Sequence, residues 1–360
     1  MNKMMLLGNG QRSCVARLAG SVIFLAAWFA PAYPAMGQSA AGQTAAASQT
    51  TPAATPSSAA ADSVAQHSDQ PVEPVTDQNG SYTITTVVNE VNLIFTVTDK
   101  HGHFIRNLKE DDFSLLDDHI APSEVYSFTQ QTNLPLRVGL LIDTSSSIRS
   151  RFQFEQDAAI EFLLSVLRPK IDKAFVMGFD VTPDITQGYT NNGDLLSTGI
   201  RKLTPGGGTA LYDAVYTGCH DEMLPLHGPP SIRKVIILLS DGDDNQSRAT
   251  LDDAVKMCQR ADTTLYAIST NDSPSRDRGD DTLKAMALVT GGRAFYPPRL
   301  ENVSNAFNGI QEELRSQYSL VYKPANFKAD GSFRPIYLAA YDHKYKVRVQ
   351  KGYFAPSSRQ

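Results

Sequence analysis

The 360-residue sequence has little cysteine, little tryptophan and no excess of positive charge. Three cysteines are too few to build a disulfide-held scaffold, so any folded part must rest on a packed core. Sixteen Phe and 14 Tyr against a single Trp are an ordinary aromatic load for such a core. A formal net charge of −5 makes the chain a poor partner for nucleic acid. Two catalytic signatures are also missing. There is no Gly-x-Ser-x-Gly turn and no phosphate loop ending in Gly-Lys-Ser or Gly-Lys-Thr, which leaves nucleophilic hydrolysis and nucleotide use without support.

The amino-terminal apolar run is too short to cross a bilayer. Residues 1–17 carry Lys3, Arg12 and Arg17 and no acid, and the uncharged run 18–30 (LAGSVIFLAAWFA) is well below the ~20 residues a spanning helix needs. A basic start, a short apolar stretch and the small residues Ala35 and Gly37 are signal-peptide architecture over 1–37. The expected cut falls after Gly37, which implies a secreted or periplasmic protein with no stable transmembrane segment after cleavage. No cysteine follows the run, which argues against a lipid anchor, and cleavage removes Cys14. Residues 38–78 reduce to Ala, Ser, Thr, Gln and Pro with three valines and no Leu, Ile or aromatic. Such a segment cannot bury enough apolar surface to offset its ordering entropy and reads as a disordered linker.

From residue 79 onward two textures alternate. Val91, Leu93, Phe95 and Val97 alternate with polar or smaller neighbours, as in a half-buried strand, and Asp99-Lys100-His101-Gly102 supplies a turn. A second strand-like run, 113–116, meets a turn at Asp117-Asp118, and 318–322, 336–340 and 345–349 read as strands at the far end. The first block is too short for a stable core of its own. The expectation is that 79–134 and 318–360 pair into one small sandwich-like β module, with 135–317 inserted between them. That middle part predicts strands at 138–142, 174–179, 235–239, 265–269 and 294–296. Helices are expected at 150–167, 211–223, 251–261, 282–289 and 300–314, the first with Phe154, Ala158, Phe162 and Val166 as its apolar stripe. Alternating strands and helices imply an α/β, Rossmann-like fold, a mostly parallel sheet with helices on both faces. Ligands on such sheets bind beyond the carboxyl ends of the strands, where strand order reverses.

Three of the loops after those strands hold oxygen donors. Asp143-Thr144-Ser145-Ser146-Ser147 places a carboxylate and two hydroxyls at alternate positions, Thr209 follows Gly206-Gly207-Gly208, and Asp241 follows the 235–239 strand. Two carboxylates and three hydroxyls are hard ligands, suited to Mg²⁺, with Mn²⁺ or Ca²⁺ as alternatives, rather than to zinc or copper. Asp143, Ser145, Ser147, Thr209 and Asp241 are the expected metal ligands. Magnesium prefers six oxygens, and a protein shell of low formal charge keeps positions that an incoming carboxylate can take.

These five positions resemble the metal-ion-dependent adhesion site of the von Willebrand factor A (VWA) domain family, with its Asp-x-Ser-x-Ser loop and its distant Thr and Asp; the resemblance covers about 136–310. It implies that the hydroxyls contact the ion, that one or both aspartates act through water, and that a protein partner's Asp or Glu completes the shell. The flanks, including 117–128 and the ending Val349-Gln350-Lys351-Gly352-Tyr353-Phe354-Ala355-Pro356, resemble bacterial secreted (acidobacterial-type) VWFA-related proteins. The expected function is therefore an extracytoplasmic, adhesion-type protein-binding module and not an enzyme, since the five residues include no general base for hydrolysis. An envelope-complex scaffold using the same ion site is the other reading, and a metal-dependent hydrolase a weaker one.

Other signals carry less. Asp241-Gly242-Asp243-Asp244-Asn245 begins like a calcium loop, but Gln246 stands where a Gly is needed and Asp252 where a Glu is. Asp243 and Asp244 are expected as a solvated rim, Asp180 as a turn residue, and His101 and His103 as exposed turn residues. Arg278-Gly279-Asp280 is a chance match to a cell-attachment tripeptide. Right-handed crossovers put Cys219 and Cys258 on helices of the same sheet face, so a disulfide is open to them. Their apolar helical surroundings favour two separately buried thiols.

Overall fold

The run Leu136–Asp143 (β4) is apolar on both faces, and such a strand is stable only at the centre of a covered parallel sheet. In the computed structural model it lies there. The structure describes residues 90–130, 134–149, 151–226, 232–271, 275–299 and 302–357; the expected leader and linker lie outside them. β4 pairs in parallel with Lys173–Phe179 (β5) on one side and Arg233–Ser240 (β7) on the other, and β7 pairs in parallel with Thr263–Ser269 (β8). Ala294–Phe295 (β9) closes one edge, and Pro183–Thr190 (β6) closes the other, antiparallel to β5. The order is β6-β5-β4-β7-β8-β9, so the direction of progression reverses between β4 and β7.

Helices cover both faces. Phe152–Val166 (α1), Gly193–Lys202 (α2) and Val303–Leu314 (α6) bury Phe162, Leu163, Ile200, Phe307 and Ile310 against one face. Leu211–Thr217 (α3), Leu251–Arg260 (α4) and Arg278–Val289 (α5) bury Leu211, Val215, Ala254, Leu283 and Met286 against the other. β6 and α2 went unpredicted. The stripe expected on α1 holds at Ala158, Phe162 and Val166 and fails only at its first position, where Phe154 is 41% exposed while the neighbouring Glu155 is fully buried.

The flanks interleave. Val91–Thr98 (β1) pairs with Tyr318–Lys323 (β10) and Lys346–Val349 (β12), and β10 pairs with Glu124–Gln130 (β3). Phe113–Asp117 (β2) and Gly352–Phe354 (β13) pair with Phe333–Ala340 (β11) in a second sheet. All of these pairings are antiparallel, and Leu93 and Phe95 share one core with Phe113, Tyr318 and Leu338 from both sheets. Asp117, expected in a turn, is a buried acceptor for the hydroxyls of Tyr322 and Tyr353 at 2.8 and 2.9 Å. Glu313 of α6, also buried, accepts from Tyr266 at 2.8 Å and pairs with Arg348 of β12, tying the flanking sheets to the α/β part.

Candidate metal centre

β4 ends at Asp143, and Asp241 directly follows β7, so these carboxylates stand on the two sides of the reversal in strand order. Crevices open at such points because the following chain leaves in opposite directions. Asp143 is fully buried; Oδ1 accepts the Ser145 amide at 2.8 Å and Oδ2 accepts the Ser240 hydroxyl at 2.8 Å. Ser145 Oγ is hydrogen-bonded to Ser147 Oγ at 2.9 Å, and Ser147 Oγ donates to Asp241 Oδ2 at 3.3 Å. Asp143, Ser145, Ser147 and Asp241 thus form one hydrogen-bonded chain, buried at Asp143 and exposed at Ser147.

Thr209 belongs to the third loop, and its hydroxyl makes no hydrogen bond to the other four. Backbone contacts bring the loop in. Gly206 N donates to Thr144 O at 2.6 Å, Ser146 N to Gly207 O at 3.3 Å, and Ala210 N to Asp180 O at 2.6 Å. Gly207 has φ +74, and a Cβ there would stand 3.0 Å from Asp180 Oδ2, so the close approach of these loops depends on glycine. Asp180 is a turn residue as expected, accepting the Val181 and Thr182 amides.

The electrostatics favour a cation. Burial pushes the Asp143 carboxyl up to about 6, the Asp241 charge adding to the rise and hydrogen bonds from Ser145 and Ser240 opposing it. Burial also pushes Glu155 up to about 8, with Arg151 opposing and Asp143 and Asp241 adding. Both Glu155 oxygens lack a hydrogen-bond partner, and Arg151 Nε is 3.6 Å from Oε1. Glu155 is the site-associated acid that periodicity missed; its only sequence signal is a carboxylate spaced seven residues before Phe162 on the same helix. Carboxyls raised by burial and by one another's charge, beside hard oxygen donors, form a setting in which a divalent cation would favour their ionised forms. No group of three or more His, Cys, Asp or Glu forms a metal cluster among the described residues, so an ion here would depend on the hydroxyls.

Among the other signals, His101 and His103 lie exposed in their turn, their amides capped by Asp99. Asp243 is exposed, but Asp244 is not simply rim: its Oδ1 accepts from Ser247 Oγ and the Tyr212 amide. Arg278-Gly279-Asp280 opens α5, where buried Asp280 accepts from Ser269 at 2.6 Å. Gly279 packs so closely that a Cβ would stand 2.2 Å from Asp241 O, which buttresses the Asp241 turn. Cys219 and Cys258, expected as separate thiols, are bonded, because the helices that carry them bring their Cα atoms to 5.0 Å.

Residues 138–309 match the family model of the von Willebrand factor type A domain. This segment is a VWA domain. VWA domains bind protein partners and hold a divalent metal at the adhesion-site motif. No curated protein matches the chain. Solved structures that it resembles include proximal thread matrix protein 1 from the mussel byssus with zinc in its MIDAS motif, at 16% identity and TM-score 0.45 over 55% of this chain and 49% of that one. The chain thus spans about half the length of that byssus protein. A von Willebrand factor type A protein from Catenulispora acidiphila matches at 13% identity and TM-score 0.43, over 68% of this chain and 72% of that one. The vWF domain of the type V pili tip protein Mfa5 from Porphyromonas gingivalis matches at 15% identity and TM-score 0.40, over 51% and 95%. With TM-scores below 0.5, these likenesses lend nothing to the functional reading. No helix among the described residues is long and apolar enough to cross a membrane.

Proposed function

We propose that this VWA domain is an extracytoplasmic, non-enzymatic binding module in which Asp143, Ser145, Ser147, Thr209 and Asp241 hold a divalent cation, Mg²⁺ in the first instance. The observation that carries the reading is the hydrogen-bonded chain from buried Asp143 through Ser145 and Ser147 to Asp241. Ser145, Ser147 and Thr209 would offer hydroxyls, and Asp143 and Asp241 carboxylates, directly or through water. The cation, when bound, supplies a Lewis-acidic corner for an Asp or Glu of a protein partner. Exposed Ser147 keeps the approach open, while Ser240 and the Ser145 amide hold the buried Asp143 carboxylate in place.

A location outside the cytoplasm is supported by the leader-like residues 1–37 and by the Cys219–Cys258 disulfide, a bond that persists in oxidising compartments. The test is capture of partners from envelope fractions by the full chain with Mg²⁺, with EDTA and as Asp143→Ala. Capture that needs both the ion and Asp143 is expected. Equal capture under all three conditions would overturn metal-bridged binding.

A further inference from the structure

Two of the three loops in the proposed ion site are built as one piece. Thr209 donates its amide to Asn245 Oδ1 at 3.0 Å, and its carbonyl accepts the amides of Asn245 and Gln246 at 3.0 and 3.1 Å. One turn further on, the Asp213 amide donates to Ser247 Oγ at 3.0 Å, while the Asp213 carboxylate accepts the amides of Arg248 at 3.1 Å and Ala249 at 2.8 Å. These bonds lace the start of α3 to the segment that runs from Asp241 into α4. The side-chain bonds among them are exposed or half-buried, so water competes for each of those.

The opposite ends of the two helices are joined covalently. α3 continues into a π-type turn at Gly218–Met223 that contains Cys219, and Cys258 lies in the last turn of α4. Both cysteines are fully buried. A π-type turn adds a residue to the winding and changes the face that the following side chains present, and here the change falls where the helix meets its disulfide partner. A lace at one end and a covalent tie at the other oppose both sliding and pivoting of α3 against α4; either alone leaves one of these motions free.

We propose that the Cys219–Cys258 bridge is a positioning element of the ion site, holding Thr209 and Asp241 at the mutual spacing that the cation requires. This rests on the ion reading of the preceding subsection. Neither cysteine would touch the ion; the bridge acts through α3 and α4, with Asn245 as the nearest link to Thr209.

The experiment is Mg²⁺ titration by calorimetry of the full chain, of the Cys219→Ala/Cys258→Ala double variant and of Asn245→Ala, each at a temperature where circular dichroism shows it folded. Loss of a group that orients ligands weakens metal affinity by about 10- to 100-fold, and both variants are expected in that range. A bridge that only stabilises the fold would lower Tm and leave the Mg²⁺ Kd unchanged, which overturns the proposal. If the double variant does not fold, Asn245→Ala decides, because it cuts the same unit at its exposed end. An unchanged Kd there also overturns the proposal. Absence of Mg²⁺ uptake by the parent protein removes the ion site itself, and the positioning role with it.

Discussion

Glu155 is fully buried, its carboxyl raised to about 8 mainly by burial. A carboxyl whose folded pKa lies above its unfolded value stabilises the fold below the unfolded pKa, and that contribution is lost as pH rises through the folded one. The metal-free protein is therefore expected to lose Tm as pH rises from 4.5 to about 8 and to level off above that, and Glu155→Gln to flatten the fall; parallel melting curves for the two proteins would refute it. Gly279 supports a second prediction at this scale. A methyl group 2.2 Å from Asp241 O forces backbone to move, so Gly279→Ala is expected to cost about 1–3 kcal/mol in chemical denaturation. The grouping of Asp143, Ser145, Ser147 and Asp241 was legible because their spacing after strands is chemical information in itself. Glu155 was not: periodicity assigns the buried face to apolar residues, and Phe154 outranks a carboxylate until packing is known.

At the scale of elements, the bridge across 39 residues restricts the unfolded chain. Loop-closure entropy for that length predicts that the Cys219→Ala/Cys258→Ala variant loses roughly 4 kcal/mol in urea unfolding, less any strain relieved. Both cysteines sit in apolar helical patterns, so composition could not distinguish two thiols from a bond; only the 5.0 Å approach of their Cα atoms does. The parallel strands β4, β5, β7 and β8 were legible as continuous apolar runs. β6 was not, because an edge strand with one exposed side carries Pro183, Asp184 and Gln187 and resembles a loop. The start of α5 was likewise placed late, at Thr282 rather than Arg278, since its first turn is polar and capped by the Asp277 side chain on the Asp280 amide.

For the whole molecule, the strand partners of β1, β2 and β3 among the described residues are β10, β11 and β12, reached after the VWA domain has intervened. A chain ended at Gln317 is expected to expose Leu93, Phe95 and Phe113 and to bind a hydrophobic dye, while an unchanged melt without dye binding would show the flanks to be independent. Bound cation should act on the molecule globally. Mg²⁺ at a hundred times its Kd stabilises a protein that binds only when folded by about 2.7 kcal/mol, and Asp143→Ala should erase that increment in thermal melts.

Local pattern was enough for the parallel strands, for most of the helices and for the oxygen-bearing spacing of the proposed donors, since each depends on residue types at short spacing. Convergence of the loops was decided in three dimensions. The reversal of strand order between β4 and β7, the glycine-dependent packing of 206–208 and of Gly279, and the covalent tie between α3 and α4 are contacts between residues far apart in the chain, whose spacing no local periodicity records.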